Sequence, residues 1–527
     1  MKSMTMSKAI LSSVILMLCI TQIRIAQAQE GSYGYYNDAL LFSRTYYGGT
    51  ARMQSIGGAQ VSLGGDMNAA YVNPAGLGSI RQSGITVTPS LDFNNTDAQY
   101  FGNNTHDFKA NFNFANLGIA FSMPNEDENS PFKGGTFAIT MTRTNNFHGQ
   151  YNYDGFNTTE VGKSSIIDSY IDGAWGIEED NLGGIEYDAY QSYLINPETL
   201  TDDATGSSFT GYYKLIGDQP RQVEKIRNTG AQYEWNFAGG ANINDIFYFG
   251  GGLGITTINY FSEQTFTESE YFYDGSIDPA INSHRLINTL RIDGTGLNGT
   301  LGIIVRPIPI LRVGASFKTP TIYGMYDTSS EDFLVDWNNN FVFNIDGNDM
   351  TLDDYAPEGG PYYSESKYSL STPWKFSTGA SIFLGKSGFL SADVEFTDYS
   401  SANLSSNDFS TTADNNEIQS RYQNAMNIRI GGEFRITNQF MVRAGYAHDG
   451  DPYRYSSIDN SIQRISGGLG YRTKDMFIDL SIVHTQYETL RSPYTIYSFD
   501  DPNEDISPTA HIDHKNLNAS VTFGFNF

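Results

Sequence analysis

Histidine and carboxylate side chains are the residues through which this chain could bind a metal or hydrolyse a substrate. His511 and His514 form an H-x-x-H pair that could hold haem or a metal ion, and any of the seven histidines could act in hydrolysis beside an acid or a serine. The acidic segments 346–349 and 500–505 could bind calcium through oxygen ligands, but neither follows the full spacing of a calcium loop. These patterns are therefore weak indications of chemistry.

Catalytic motifs give no positive case. The sequence contains no GxSxG, HExxH or GxxxxGK[ST] pattern. The histidines lie in polar segments, where such residues commonly occur without a special role. We therefore assign no catalytic residue, no metal site and no cofactor, and we keep haem binding and a surface hydrolase as the weaker alternatives.

The amino-terminal segment has the pattern of a secretory signal. Lys2 and Lys8 precede an apolar run from 9 to 20, and Ala26-Gln27-Ala28 offers a cleavage site with small residues. We predict a signal peptide over residues 1–28, so the mature chain leaves the cytoplasm. The single cysteine, Cys19, lies within that segment, and the mature chain is expected to have no disulfide.

Charge and composition exclude several classes of protein. A formal net charge of −27 argues against binding nucleic acid. After the signal there is no run of about 18 apolar residues that would form a membrane helix. Yet the chain carries 35 Tyr, 34 Phe and 53 Gly. A membrane β-barrel explains these facts together, because its strands need apolar residues only at every second position and its two interfaces favour aromatic residues.

Alternating apolar and polar residues indicate the strands. From 517 to 527, the apolar residues fall on one face and Asn, Ser, Thr and Gly on the other, and the same pattern recurs at 311–318, 390–397, 428–435 and 440–446. Fourteen candidate strands are centred near residues 87, 113, 140, 236, 253, 300, 316, 379, 394, 430, 443, 467, 480 and 521. Tight turns alternate with long polar loops near 149–228, 264–284, 326–365, 402–421, 449–461 and 488–512. This asymmetry is typical of outer-membrane barrels.

A glycine-rich segment precedes the strands and carries a family resemblance. Residues 51–79 contain no bulky apolar run, and the sequence passes through Ser-Ile-Gly-Gly-Ala and Gly-Gly-Asp-Met-Asn-Ala-Ala to Asn-Pro-Ala-Gly-Leu. This order resembles the amino-terminal hatch of the FadL/TodX family of outer-membrane channels for long-chain fatty acids and other hydrophobic compounds. Segments 295–324, 371–400 and 428–452 and the terminal Phe527 resemble the family's strand pairs and assembly signal in the same order.

The resemblance and the pattern together predict an all-β fold: a 14-stranded antiparallel transmembrane β-barrel with an amino-terminal plug. Residues 29–79 are expected to form the plug on the periplasmic side, and residues 80–527 the barrel, in the outer membrane of a Gram-negative cell. The expected function is passive uptake of a hydrophobic small molecule such as a long-chain fatty acid, in contact with outer-membrane lipid. The alternative is a barrel that serves as scaffold or shuttle in protein secretion or surface attachment, with a protein partner at the long loops.

Two groups of residues are candidates for the ligand path. In the plug, the turn Asn73-Pro74-Ala75-Gly76 is predicted to shift, because proline fixes an extended conformation before a tight helical turn. Arg44 and Arg52 could be either struts or ligand contacts. On the barrel strands, four inward cations could either pair with acids or receive a ligand carboxylate. They are Arg312, Lys318, Arg429 and Arg443.

The third strand shows a break in its pattern. Phe137, Ile139 and Met141 share one parity, and continuing it would point Arg143 and Asn145 to lipid. A bulge or kink within Thr142, Arg143, Asn145 and Asn146 would return them to the inside. The family resemblance implies lateral release of ligand at such a kink. The alternative is that Arg143 reaches the headgroup region from an unbroken strand.

Overall fold

The structure is a computed structural model. It describes residues 32–527 except 47, 128, 160–162, 202–205, 215, 274–280, 339–341, 346, 352–360 and 498–504. The predicted signal peptide and the start of the predicted plug lie outside the described residues. So do parts of both acidic segments considered above as calcium ligands.

The strands form one closed antiparallel barrel. Fourteen wall strands can be followed through the described residues. The last strand pairs with the first to close the ring, for example Phe93 with Leu517. In chain order the wall strands are β1 (Gly84–Tyr100), β2 (Asn103–Pro124), β3 (Phe132–Asn146) with β4 (Gly149–Phe156), β7 (Arg221–Ile243), β8 (Phe247–Ser269), β9 (Ile281–Ile308), β10 (Leu311–Lys318) with β11 (Ile322–Trp337), β14 (Tyr362–Ser371) with β15 (Lys375–Phe383), β16 (Gly388–Asp398) with β17 (Asn403–Ser406), β18 (Asn424–Arg435), β19 (Phe440–Asp449), β20 (Ile462–Arg472), β21 (Met476–Arg491) and β22 (Ala510–Asn526). Two hairpins lie outside the wall, β5 (Asn196–Thr201) with β6 (Ser208–Tyr213) and β12 (Val342–Ile345) with β13 (Asn348–Thr351). The predicted fold class is confirmed, and every predicted strand centre falls within a wall strand.

Burial follows the predicted alternation. On β7, Trp235 and Phe237 are each 40% exposed on the outer face, whereas Glu234 and Asn236 are 3% and 2% exposed on the inner face. The apolar outer face and polar lumen are therefore set by side-chain parity. Among the helices that the structure describes, none has the length and apolar character needed to cross a membrane.

The two ends of the barrel differ as predicted, but the loops are shorter than expected. At one end, called here the turn end, connections are as short as Asn244–Ile246 between β7 and β8. At the other, the loop end, strands continue into segments predicted to be loops: β8 reaches Ser269 and β9 begins at Ile281, inside the predicted loop 264–284. The prediction failed there because outward residues become polar above the apolar band, which hides the alternation although the ladder continues.

Helices lie at the loop end and inside the barrel. They are α1 (Tyr36–Ser43), α2 (Ala51–Ser55), α3 (Ala69–Val72), α4 (Ile166–Ala174), α5 (Gly184–Gln191) and α6 (Thr412–Arg421), with 3-10 turns at Pro74–Ser79, Glu179–Asn181 and Tyr399–Ser401. Helix α4 begins with a capping box of Ser165 and Asp168. Its Ile167 and Tyr170 pack against Trp337 in a buried cluster over one side of the loop end. Helices α4 and α5 both lie inside the predicted loop 149–228.

The lumen cavity and its surrounding residues

Residues 32–79, called here the inner segment, run through the lumen and contact both ends of the barrel. Near the loop end, the Asp414 carboxylate of α6 accepts hydrogen bonds from the Ser32 hydroxyl at 2.8 Å and from the backbone amides of Tyr33 and Tyr36 at 3.2 and 3.1 Å. Asp38 of α1 accepts a 2.7 Å hydrogen bond from the Tyr368 hydroxyl of β14. The beginning of the inner segment is therefore held by the wall and by an outer loop.

Asp38 is buried close to two other carboxylates, those of Asp327 and Asp414. Burial is the main cause that raises its pKa to about 7; the nearby Asp327 and Asp414 carboxylates act in the same direction, and the hydrogen bond from Tyr368 opposes them. No basic side chain lies within ion-pair distance of Asp38 among the described residues. The docking of α1 consequently depends on whether this carboxyl is protonated.

Helix α2 is fixed by polar contacts with the wall. Thr50 caps its first turn by accepting from the Met53 amide, and the Ala51 amide donates to the Thr522 hydroxyl at 2.7 Å. Arg52 forms a 2.9 Å ion pair with Glu433 of β18. The sequence left open whether Arg52 supports the structure or contacts ligand, and this ion pair matches the structural role.

The Asn73-Pro74-Ala75-Gly76 turn lies against the wall near the turn end. The Asn73 amide nitrogen donates to the Val61 carbonyl at 2.7 Å, and its oxygen accepts from the Ala75 amide at 3.2 Å. Wall glycines make room for it: a Cβ on Gly250 would lie 2.2 Å from the Pro74 carbonyl carbon, and one on Gly302 would lie 1.8 Å from the Asn73 oxygen. The turn and the wall are therefore closely matched in shape. Position 76 needs glycine, because a Cβ there would lie 2.9 Å from the Gly64 Cα.

The four predicted lumen cations all lie inside the barrel, and three of them are paired with acids. The ion pairs are Lys318 with Glu234 at 2.6 Å, Arg429 with Glu395 at 3.3 Å and Asp449 at 3.5 Å, and Arg443 with Glu433 at 2.8 Å and Asp479 at 2.7 Å. Arg312 donates instead to the Leu63 carbonyl of the inner segment and lies 4.7 Å from the centre of the Phe383 ring. These contacts favour a structural role for all four.

The third wall strand contains an irregularity where the sequence predicts one. The pairing of β3 with β7 shifts between Arg143 and Asn145, so Thr144 is the extra residue. Arg143 is 1% exposed and points inward, where it forms a 2.9 Å ion pair with Asp92 and donates to Asn146 at 2.6 Å. The alternative that Arg143 reaches the headgroup region is therefore wrong.

The same strand borders a break in the backbone ladder, called here the seam. Pairing of β2 with β3 ends at Asn116 and Thr142, although β2 extends to Asn103 and the third wall strand to Phe156. Beyond that point the two strands are linked through side chains: Gln150 donates to the Phe108 carbonyl at 3.3 Å, and the Asn152 amide donates to Asp107 at 2.7 Å. Along this stretch side-chain contacts replace a continuous set of backbone hydrogen bonds, so the strands are held less firmly than in a full ladder.

A lumen cavity of about 550 Å³ lies between the inner segment and the seam. Leu40 and Leu41 of α1 border it on one side and Phe147 and His148 on the other. Further apolar and aromatic lining comes from Tyr151, Tyr260, Tyr453, Ile462, Val483, Tyr487 and Leu517, and amide lining from Asn37, Asn94, Asn145, Asn146, Asn228, Asn516 and Asn518. The cavity can therefore hold an apolar molecule that also carries a polar group.

Arg44 is the lining residue whose role the sequence left open. Its Nη2 donates to the Asn460 carbonyl at 2.6 Å, while its buried Nε has no hydrogen-bond partner. In the described part of the chain, no carboxylate lies within 4 Å of its guanidinium. Unlike Arg52, it is a cation on the cavity without an acidic partner, and only the fold distinguishes the two.

The histidine pair does not converge on one site. His511 and His514 lie on β22, where residues three apart point to opposite faces. The His514 ring stacks on Tyr487 at 4.3 Å and its Nε2 bonds Thr489 at 2.9 Å. Within the described ranges no group of three or more His, Cys, Asp or Glu side chains could hold a metal ion.

Comparison with known proteins places this geometry in a family. A family model described as outer membrane protein transport protein (OMPP1/FadL/TodX) matches residues 232–500, which is more than half of the chain. A FadL homologue from Pseudomonas aeruginosa is 13% identical, with 92% of this chain and 99% of that chain covered and a TM-score of 0.55. For the toluene transporter TodX of P. putida the values are 12%, 92%, 99% and 0.49. No curated protein matched. The structural likeness shows the fold, and the family match shows that this chain belongs to the OMPP1/FadL/TodX family of outer-membrane transport proteins.

Proposed function

We propose that this protein is a passive channel through which hydrophobic molecules with an acidic headgroup, such as long-chain fatty acids, cross the outer membrane. The observation that carries the proposal is the position of the lumen cavity, which joins the unpaired cation Arg44 to the seam in the wall. The family to which the chain belongs transports hydrophobic compounds, and the sequence has no GxxxxGK[ST] motif for a nucleotide.

The contacts of Arg44 suggest how a ligand would be oriented. A carboxylate beside the Arg44 guanidinium, which borders the cavity, would gain a charge-assisted hydrogen bond in a place shielded from water. The ligand's alkyl chain would then lie along Leu40, Leu41 and Phe147, which border the same cavity. Because Arg44 ends α1, the ligand would contact the inner segment and the wall together.

The seam is the proposed exit toward the membrane. Separating β2 from the third wall strand above Asn116 breaks side-chain contacts but no backbone ladder. The irregularity at Thr144 lies at the lower end of this break, next to cavity residues Asn145 and Asn146. The inner segment acts as the plug in this proposal, and a shift of the Asn73-Pro74-Ala75 turn would open the turn end.

Binding of a labelled long-chain fatty acid to the purified barrel tests the ligand class. We expect saturable binding that weakens about tenfold or more in Arg44→Gln, because a hydrogen bond to a charged group contributes about 1.5–3 kcal/mol. Arg454→Gln is the matched control, since Arg454 also donates to a backbone carbonyl but does not line the cavity. Equal binding by both variants would contradict the role of Arg44.

A crosslink across the seam tests the exit. The Gln150 side chain contacts the Phe108 backbone there, so a disulfide between Phe108→Cys and Gln150→Cys would hold the strands together. We expect oxidation to block uptake into cells and reduction to restore it. A control pair at Lys225 and Thr265, which are partners in the continuous β7–β8 ladder, should leave uptake unchanged. Full uptake through the oxidised seam would place the exit elsewhere.

A further inference from the structure

A row of small side chains crosses the outer face of five neighbouring wall strands. Pairing between the strands aligns these residues, and each has little or no side chain. They are Thr257 of β8, Thr295 of β9, Gly324 of β11, Ser369 of β14 and Ser405 of β17. We call the depression along this row the outer groove, and it encloses about 630 Å³.

The outer groove lies at the upper limit of the apolar band. One row nearer the turn end, the outward residues of β8, β9 and β11 are Ile255, Leu297 and Ile322, and Leu297 and Ile322 are 62% and 65% exposed. On β14 and β17 the same row holds Ser371 and Asn403, so the apolar part lies below three of the five strands. One row nearer the loop end, they are Asn259, Asp293, Tyr326 and Lys367. In a family of outer-membrane proteins, a change from apolar to polar at this level corresponds to the headgroup region of the outer leaflet.

The upper edge of the groove combines hydrogen-bonding groups, an aromatic ring and a cation. Asp293 accepts from Asn259 at 2.6 Å and from Arg291 at 3.0 Å, so its charge is balanced. The Lys367 ammonium lies 5.8 Å from the centre of the Tyr326 ring and has no carboxylate within 4 Å in the part of the chain described. The nearby carboxylates bond other groups, since Asp408 accepts from the Lys367 backbone amide at 3.0 Å and Glu365 from the Tyr326 hydroxyl at 2.7 Å. The Lys367 ammonium is therefore the group at this edge that can pair with an anion.

We propose that the outer groove binds the phosphorylated sugar headgroup of an outer-leaflet glycolipid. Its acyl chains lie against Leu297 and Ile322, its sugar hydroxyls bond the hydroxyl and carboxylate groups of the groove, and its phosphate pairs with Lys367. The apolar row directly below is the reason to choose a lipid over a soluble sugar, because a free saccharide has nothing to place there. This site is on the outside of the barrel and is independent of the proposed transport route.

Gly324 allows the groove to be filled without disturbing the wall. A Cβ at this position would meet no atom within 4 Å, so Gly324→Phe should place its ring in the groove. Gly183→Phe is the matched control, because Gly183 also has open space, has a φ of −143° and lies in a loop. Lys367→Glu reverses the charge, and Lys386→Glu does the same in a turn at the opposite end.

Native mass spectrometry of the barrel in phospholipid nanodiscs, with added acylated glucosamine disaccharide diphosphate, tests the proposal. We expect bound glycolipid to fall at least fivefold in Gly324→Phe and Lys367→Glu and to be unchanged in both controls. A folded barrel migrates faster unheated than heated, so loss of this difference would reveal a misfolded Gly324→Phe variant, and Lys367→Glu then carries the test. Undiminished binding in the folded variants would overturn the proposal. So would equal competition by the deacylated, water-soluble disaccharide. Fatty-acid binding should be unaffected by Gly324→Phe, which separates this site from the lumen.

Discussion

The Ser32 hydroxyl donates a 2.8 Å hydrogen bond to the Asp414 carboxylate, although 382 positions separate the two residues in the chain. Ser32 belongs to the inner segment, whereas Asp414 belongs to α6 in a loop at the loop end. The other end of the inner segment leads into β1 at the turn end. The segment is thus attached at both ends of the barrel, and ligand must pass beside it.

Removing the Asp414 carboxylate should release the beginning of the inner segment. Asp414→Ala deletes the acceptor of three hydrogen bonds, from Ser32, Tyr33 and Tyr36, and we expect α1 docking to weaken by about 2–4 kcal/mol. Hydrogen exchange of residues 32–43 should become faster. Gln419→Ala, at an exposed position of the same helix, is the control. Unchanged exchange in Asp414→Ala would show that packing alone holds the segment.

Docking of α1 should weaken as the pH rises from about 4 to about 7. The pKa of Asp38 is raised by burial to about 7, so the docked state binds more protons than the released state throughout this window. The favourable contribution of the neutral carboxyl is complete below the ordinary carboxyl pKa and is lost as the pH rises through 7. Limited proteolysis near residue 44 at several pH values measures this, and Asp38→Asn should remove the dependence. A pH response that persists in Asp38→Asn would assign it to another group.

Adding one methyl group at Gly250 should displace the turn at Pro74. The new Cβ would overlap the Pro74 carbonyl at 2.2 Å, and such overpacking costs about 1–3 kcal/mol. We expect faster hydrogen exchange over residues 72–79 and a larger conductance in planar bilayers. Gly251→Ala is the control, because its Cβ would meet the flexible end of Leu301 at 3.3 Å and the Thr300 carbonyl oxygen at an ordinary 3.8 Å. Equal conductance in the two variants would show that this turn does not limit passage.

Replacing Arg143 should destabilise the barrel near the seam. Arg143→Met leaves the buried Asp92 carboxylate without its cation, a change that costs about 3–5 kcal/mol. The apparent melting temperature in detergent should fall, and adding Asp92→Ala should recover part of the loss. Arg306→Met, at the turn end, should have little effect. A melting temperature unchanged by Arg143→Met would mean that the amides around Asp92 are sufficient.

The wall was predictable because its signal is local. Alternating parity identifies all fourteen strands, and the lost alternation after Met141 predicts the irregularity found at Thr144. The ends of the long strands were missed, because outward residues such as Lys225 and Arg227 are polar once the strand leaves the apolar band. The alternation of apolar and polar residues therefore cannot reveal where the backbone hydrogen-bond ladder continues beyond the membrane into water.

The roles of individual charges could not be predicted, because they depend on partners far away in the chain. Arg52 meets Glu433 and Lys318 meets Glu234, while Arg44 meets no acid among the described residues. Which cation pairs with an acid and which faces the cavity depends on the closed barrel and on the path of the inner segment through it. The outer groove was missed for a similar reason, since its row exists only after five strands are in register.

The antiparallel pairing of β1 with β22 has a consequence for biogenesis. The first and last strands complete the cylinder, yet residues 32–79 already occupy its interior and touch Asp414 at the far rim. Threading them through a finished cylinder would require stripping many polar groups of water and passing the narrow fit at Gly250. The inner segment therefore has to be in position before β22 pairs with β1, so the barrel wall closes around a segment that is already inside it.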